Sequence, residues 1–252
     1  MKSVLRSFLK FLGYELRHIQ APPSLTIRFP DAVPWEMEIM KAISPHTMTP
    51  PERQWALIRA VEHVVMHEIP GDIVECGVWK GGNLMLAGLV LNQMQSQRTI
   101  FAYDTFAGMS APTEFDRKTQ GGMAVDEKFS ALDRGDFNEW CYGPLNTVKN
   151  NIQSVGLSLS SFRFIQGKCE DTLALPENLP DKISILRLDT DWYESTKAEL
   201  EVLYDRLSPG GILILDDYGD WAGAKKAVDE YFGNKMPFLC RIDRSCRIAV
   251  RH

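Results

Sequence analysis

The chain has 252 residues, 44% of them hydrophobic and 24% charged, the balance of a globular domain with a sizeable core and room for an appended segment. A formal charge of −5 argues against nucleic acid as the main partner, because phosphate binding favours positive surfaces. Cys76, Cys141, Cys169, Cys240 and Cys246 are scattered, odd in number and without CxxC spacing, so neither a zinc site nor a disulfide framework is suggested and a reducing, cytoplasmic compartment is expected.

The first stretch, MKSVLRSFLKFLGYELRH, is interrupted by Arg6 and Lys10 and lacks a small-residue cleavage site, so it does not read as a signal peptide. No run of about 18 apolar residues follows that could cross a membrane. Val4, Leu5, Phe8, Leu9, Leu12 and Leu16 share one helical face, with Lys2, Arg6, Lys10 and Arg17 mostly on the other. Such a helix docks on its own domain or a second copy in the plainer reading. The sharper reading is peripheral contact of residues 1–18 with an anionic membrane surface. Residues 19–47 carry Pro22, Pro23, Pro30, Pro34 and Pro45 and read as an irregular arm with a helix at Pro34–Ile43. The arm could reach a partner, and a homo-oligomer is expected. Residues 1–47 are thus set apart from a main domain over 48–252.

Thr49-Pro50-Pro51-Glu52 has the pattern of a helix start, with Thr49 as the cap and the helix running to about Met66. His63 and His67 on it have a spacing that can clamp a metal, but no third ligand accompanies them, and a structural role is expected. In GDIVECGVWKGGNLMLAGLVL, Asp72–Cys76 reads as a buried strand, Gly77–Gly82 as a loop and Asn83–Met94 as a helix. This is not the GxGxxG fingerprint, yet a glycine-rich strand-to-helix turn still admits a ligand to the backbone and a helix N-terminus. The next strand, Thr99–Tyr103, ends in Asp104, suitably placed to accept hydrogen bonds from a ribose diol. Glu75, the glycines and Asp104 together point to a nucleoside-containing cofactor.

Residues 105–145 form a long polar connection of the kind that serves as a lid. Helix Leu145–Val155 and strand Phe162–Gln166 follow, and after the turn Glu170 is a candidate hydrogen-bonding partner for the cofactor's base. Ile183–Leu188 and Ile212–Leu215 are apolar strands joined by a helix from Tyr193 to about Leu207 and the turn Ser208-Pro209-Gly210-Gly211. A strand–helix–strand unit makes these strands parallel neighbours, so Asp189 and Asp191 share an edge with Asp216 and Asp217. Acids capping the following helices would explain one aspartate per junction. Pairs at both junctions call for a hard divalent cation. Helix Gly223–Phe232 and an antiparallel pair, Phe238–Ile242 and Cys246–Val250, complete the chain.

Beyond this α/β layout, ECGVWKGGN, YDTFAGM, LRLDTDWYESTK, LSPGGILILDDYG and WAGAKKAVDEYF resemble the macrocin O-methyltransferase family over roughly residues 35–250. The resemblance implies the class I methyltransferase Rossmann-like fold: a mostly parallel seven-stranded sheet with an antiparallel last strand, helices on both faces and an N-terminal helical arm. It implies transfer of a methyl group from S-adenosylmethionine to a sugar hydroxyl, with magnesium. Asp189, Asp216 and Asp217 would hold the metal and Asp191 would take the proton. Met48, Thr49, Glu75, Gly77, Asn83, Asp104, Glu170 and Asp189 would line the cofactor site. Asn83 departs from the serine common in that loop, although either side chain can hydrogen-bond a carboxylate. A catechol-type phenol acceptor is the principal alternative; a nicotinamide oxidoreductase is disfavoured by the glycine spacing, and a silent module by the full set of acids.

Overall fold

A computed structural model of the chain describes residues 24–119 and 124–252, so the amphipathic stretch 1–18 lies outside the described residues. The chain divides into two units, residues 1–33 and 34–252. In the described part of the first, Leu25–Arg28 forms a single helical turn, α1.

The second unit is built on one sheet of seven strands: β1 (Asp72–Cys76), β2 (Ile100–Asp104), β3 (Phe162–Gln166), β4 (Ile183–Leu188), β5 (Leu207–Leu215), β6 (Cys240–Arg241) and β7 (Arg247–Val250). Their order is β3-β2-β1-β4-β5-β7-β6. The first five are parallel, and β7 runs antiparallel to both β5 and β6. Every residue of β4 is buried, as befits a central parallel strand covered on both faces.

Helices α2 (Pro34–Ile43), α3 (Pro51–Met66) and α4 (Gly82–Gln93) pack on one another. On the sheet's other face, α8 (Tyr193–Leu203) and α9 (Ala222–Phe232) contribute Leu200, Leu203, Val228 and Phe232 to a core with Val74, Cys76, Leu186, Leu188, Leu213 and Leu215. Between these groups in sequence lie α5 (Val125–Leu132), α6 (Leu145–Ser154) and the short α7 (Cys169–Thr172). Because strand side chains alternate, the residues between those core positions, Glu75, Arg187 and Ile214, face the opposite side. The same alternation carried past the strand ends puts Asp189 and Asp216 with Glu75 and Arg187, and Asp217 with the α8/α9 side.

Register sets the ligand edge. Cys76 pairs with Tyr103 and with Leu188, and Leu188 with Leu215, so β1, β2, β4 and β5 end level. Gly77, Asp104, Asp189 and Asp216 therefore emerge side by side at the carboxyl ends, where open α/β sheets bind ligands.

Several expected boundaries move. The unit boundary falls before α2, whose Ile39, Met40 and Ile43 are buried in the larger unit. Thr49 does not cap α3: Pro50 is the N-cap, and the Thr49 hydroxyl is engaged elsewhere. Helix α8 stops at Leu203, because a 3₁₀ turn at Tyr204–Arg206 delivers Leu207 into β5 opposite Ile183. A shift of register between Ile183 and Ile185 absorbs the Ser208–Gly211 segment, where Gly210 has φ +81°. The connection 105–145 contains α5, an element its polar sequence did not announce.

Candidate active site

The alternation on β1, β4 and β5 brings a basic residue into the middle of the acids. Arg187, 3% exposed, sits across from Glu75 in the β1–β4 register. Its Nη1 donates to Glu75 Oε1 (2.6 Å) and Asp189 Oδ2 (2.7 Å), and its Nη2 to Asp216 Oδ1. Arg53 on α3 donates from Nη1 to the other oxygen of Asp216 and from Nε to Asp243 Oδ2 (2.7 Å). Burial disfavours a charged guanidinium, but the carboxylates of Asp189, Asp216 and Glu75 hold Arg187 firmly protonated. Burial likewise raises Glu75 to about 7, against the pull of Arg187.

Asp189, Asp216 and Asp217 each present an oxygen within 4.8 Å of the others. Burial pushes Asp189 and Asp217 well above the carboxylate range. Arg187 opposes the shift at Asp189, whereas for Asp217 the neighbouring charges of Asp191 and Asp216 add to it. The donor set is all carboxylate oxygen, and each oxygen bonded to an arginine keeps a second lone pair. These residues fit a hard divalent ion such as magnesium.

Asp191 departs from the extended backbone that its spacing from Asp189 suggested. Its φ is +67°, and Trp192 N–H donates to Thr190 O (2.8 Å), closing a tight γ-type turn around it. This left-handed turn is held from β5: Asp191 N–H donates to Asp217 Oδ2 (3.0 Å). Burial, then the charge of Asp189, raises Asp191 to about 7, while hydrogen bonding with Asp217 and the Trp221 indole opposes the shift. Trp221 belongs to a cluster with Trp140 and Trp192, in which Trp192 crosses both others edge-on at 84°. Trp192 Nε1 donates to Ser110 O (2.9 Å), which joins the cluster to the connection after β2.

Beside the carboxylates opens a cavity lined among others by Met48, Gly77, Asp104, Glu170, Asp189 and Asp191. Gly77 is obligatory there: at φ +81°, a Cβ would lie 2.0 Å from Asp189 O. Asp104 also shapes the loop, since its Oδ2 accepts from Val78 N–H (2.7 Å) and Trp79 N–H (3.2 Å), and its Oδ1 from Phe106 N–H (2.7 Å). Glu75, Thr49 and Asn83 are drawn together around Arg187. Asn83 Nδ2 donates to Thr49 Oγ1 (3.0 Å) and Glu75 Oε1 (3.2 Å), while Asn83 Oδ1 is buried without a partner. An orphaned acceptor beside a glycine-rich helix start fits a ligand carrying a donor, such as the amino group of a methionine moiety.

Sequence reasoning missed Arg53, Arg187 and the tryptophan cluster. The signal for Arg187 was present: a charge between Leu186 and Leu188 in a buried strand must find buried partners. Nothing local announces Arg53 or the convergence of Trp140, Trp192 and Trp221, which arises only in the fold.

A sheet of this order with its ligand cavity at the level carboxyl ends has the class I methyltransferase fold. A family model described as macrocin-O-methyltransferase (TylF) matches residues 40–246, and the chain belongs to that family. It is an O-methyltransferase. An 8-demethyl-8-(2,3-dimethoxy-alpha-L-rhamnosyl)-tetracenomycin-C 4'-O-methyltransferase of Streptomyces olivaceus is 35% identical over 189 residues, covering 75% of this chain and 68% of that one. The solved structure of the O-methyltransferase NovP superposes with a TM-score of 0.71 at 33% identity, covering 82% of each chain. The SAH-bound methyltransferase PaMTH1 of Podospora anserina shares the fold alone, at 12% identity and a TM-score of 0.53, covering 94% of this chain and all (100%) of that one.

Proposed function

We propose that the protein moves a methyl group from S-adenosylmethionine to a hydroxyl of a sugar, on a small-molecule glycoside or glycan, in a magnesium-dependent reaction. The observation that carries this reading is the meeting of Asp189, Asp216 and Asp217 within 4.8 Å, with Asp191 bonded to the last of them. The S. olivaceus relative, whose name gives it a rhamnosyl compound, supports a sugar acceptor.

Asp189, Asp216 and Asp217 would hold the metal, whose Lewis acidity eases ionisation of a weakly acidic hydroxyl. Asp191 accepts the proton as the hydroxyl oxygen bonds to the methyl carbon and the carbon–sulfur bond breaks. Its pKa, raised to about 7, suits a group that must be ionised near neutrality yet hold a proton well. Glu75, Asn83 and Thr49 bind the methionine end, together with Met48, Gly77 and Asp189, while Asp104 receives the ribose and Glu170 the base. The tryptophan cluster packs beside Asp191, with the Trp221 indole hydrogen-bonded to it.

Labelled S-adenosylmethionine offered with rhamnosides and with catechols tests this reading. Label is expected in the rhamnoside arm, and label confined to the catechols would overturn the sugar assignment.

A further inference from the structure

Most cations around the cluster already have acidic partners: Arg53 and Arg187 hold Asp216, Arg244 holds Asp220, Lys225 holds Asp229 and Lys226 holds Glu230. Lys118 and Lys128 differ. Neither forms an ion pair with another described residue, and both lie against the tryptophan cluster. Lys118 Nζ is 5.5 Å from the centroid of Trp221, and Lys128 Nζ is 3.6 Å from that of Trp140. The two indoles are 6.0 Å apart.

The placement follows from the backbone. Lys118 is fixed by an antiparallel bridge to Trp221. On α5, Val125 and Leu132 pack on the tryptophans, and Lys128, three residues after Val125 and four before Leu132, falls on the same stripe. An apolar residue is the ordinary occupant of such a stripe. Burial lowers Lys128 below the ordinary lysine range, and repulsion from Lys118 adds to the shift, so the two ammonium groups feel each other. Contact with indole faces offsets part of this cost but supplies no counter-charge. The pair also lies near the reacting centre, since the Trp221 indole that Lys118 approaches hydrogen-bonds Asp191 and the charge of Asp191 acts on Lys128.

We infer that Lys118 and Lys128 form an anion subsite at the acceptor end of the active site, fitted to a sugar whose anomeric oxygen carries a phosphate or diphosphate. Two cations match the charge of a diphosphate. Trp140 and Trp221, themselves buried, back the two lysines. The inference rests on the methyl-transfer reading and narrows its acceptor.

The test uses the full chain saturated with S-adenosylhomocysteine in buffer freed of divalent metal. Tryptophan fluorescence is followed during titration with inorganic pyrophosphate, uridine diphosphate, or a polyprenyl phosphate in detergent micelles. A saturable response is expected that weakens with salt, with Kd raised about 10-fold or more in the K118Q/K128Q double variant. Tighter binding of uridine diphosphate would mark a nucleotide-linked sugar, and of the polyprenyl phosphate a lipid-linked one. No saturable response in the loaded protein, or an unchanged Kd in the double variant, overturns the subsite and leaves methyl transfer standing. Failure of S-adenosylhomocysteine to bind overturns the methyl-transfer reading and the subsite with it.

Discussion

The backbone N–H of Asp191 donates to Oδ2 of Asp217 at 3.0 Å, tying the turn after β4 to a carboxylate just beyond β5. The bond holds Asp191 at φ +67°, a conformation that costs a non-glycine residue about 1–3 kcal/mol unless its surroundings enforce it. Strain of this kind, beside a carboxylate cluster and a ligand cavity, supports the role proposed for Asp191 as proton acceptor.

Asp191→Asn separates position from chemistry, because asparagine tolerates the left-handed region and keeps the backbone N–H. The variant is expected to lose about 10²–10⁴-fold in kcat while binding S-adenosylhomocysteine as the parent does. Steady-state kinetics beside calorimetric binding would show this. A change confined to KM would remove Asp191 from the proton-transfer role.

Arg187→Met leaves Glu75, Asp189 and Asp216 without their shared guanidinium. Breaking a buried ion network this way is expected to cost about 3–5 kcal/mol. Scanning calorimetry should show a lower Tm, and added magnesium should raise the variant's Tm more than the parent's. A variant as stable as the parent would mean that Arg187 is not the counter-charge of these acids.

Glu199 on α8, buried and accepting from Thr190 Oγ1 (2.9 Å), is raised to about 8 by burial against its hydrogen bonds with Cys169 and Thr190. Glu75 is raised in the same sense, to about 7. Below the unfolded value near 4.5 both states are protonated; above it the unfolded chain loses protons that the folded one retains, so stability falls as pH rises. In metal-free buffer Tm is expected to decline from pH 5 to pH 8 and then level, with a shallower decline in Glu199→Gln. A Tm that rises over this window would contradict the assignment.

The sheet was legible because its strands are short, largely apolar runs closed by glycine or an acid, and the ends of Asp72–Cys76, Phe162–Gln166 and Ile183–Leu188 agree with the sequence reading. Asp189, Asp216 and Asp217 were also legible, since register alone brings them to one edge. Tertiary choices were not. Thr49 has the composition of a helix cap, yet its hydroxyl meets Asn83 and Arg187 instead. The left-handed turn at Asp191 depends on a bond from another strand, and the helix Val125–Leu132 emerges from a polar connection whose apolar residues find the tryptophans only after folding.

The division of labour at the carboxylates is the central claim, and single-turnover methyl transfer to a rhamnoside tests it most directly. It is measured for the parent protein in EDTA and again after magnesium is restored. The expected result is transfer that disappears with EDTA and returns with magnesium. Transfer at an undiminished rate in EDTA would contradict the account, leaving Asp189, Asp216 and Asp217 as partners of Arg53, Arg187 and Asp191 and not as holders of a metal.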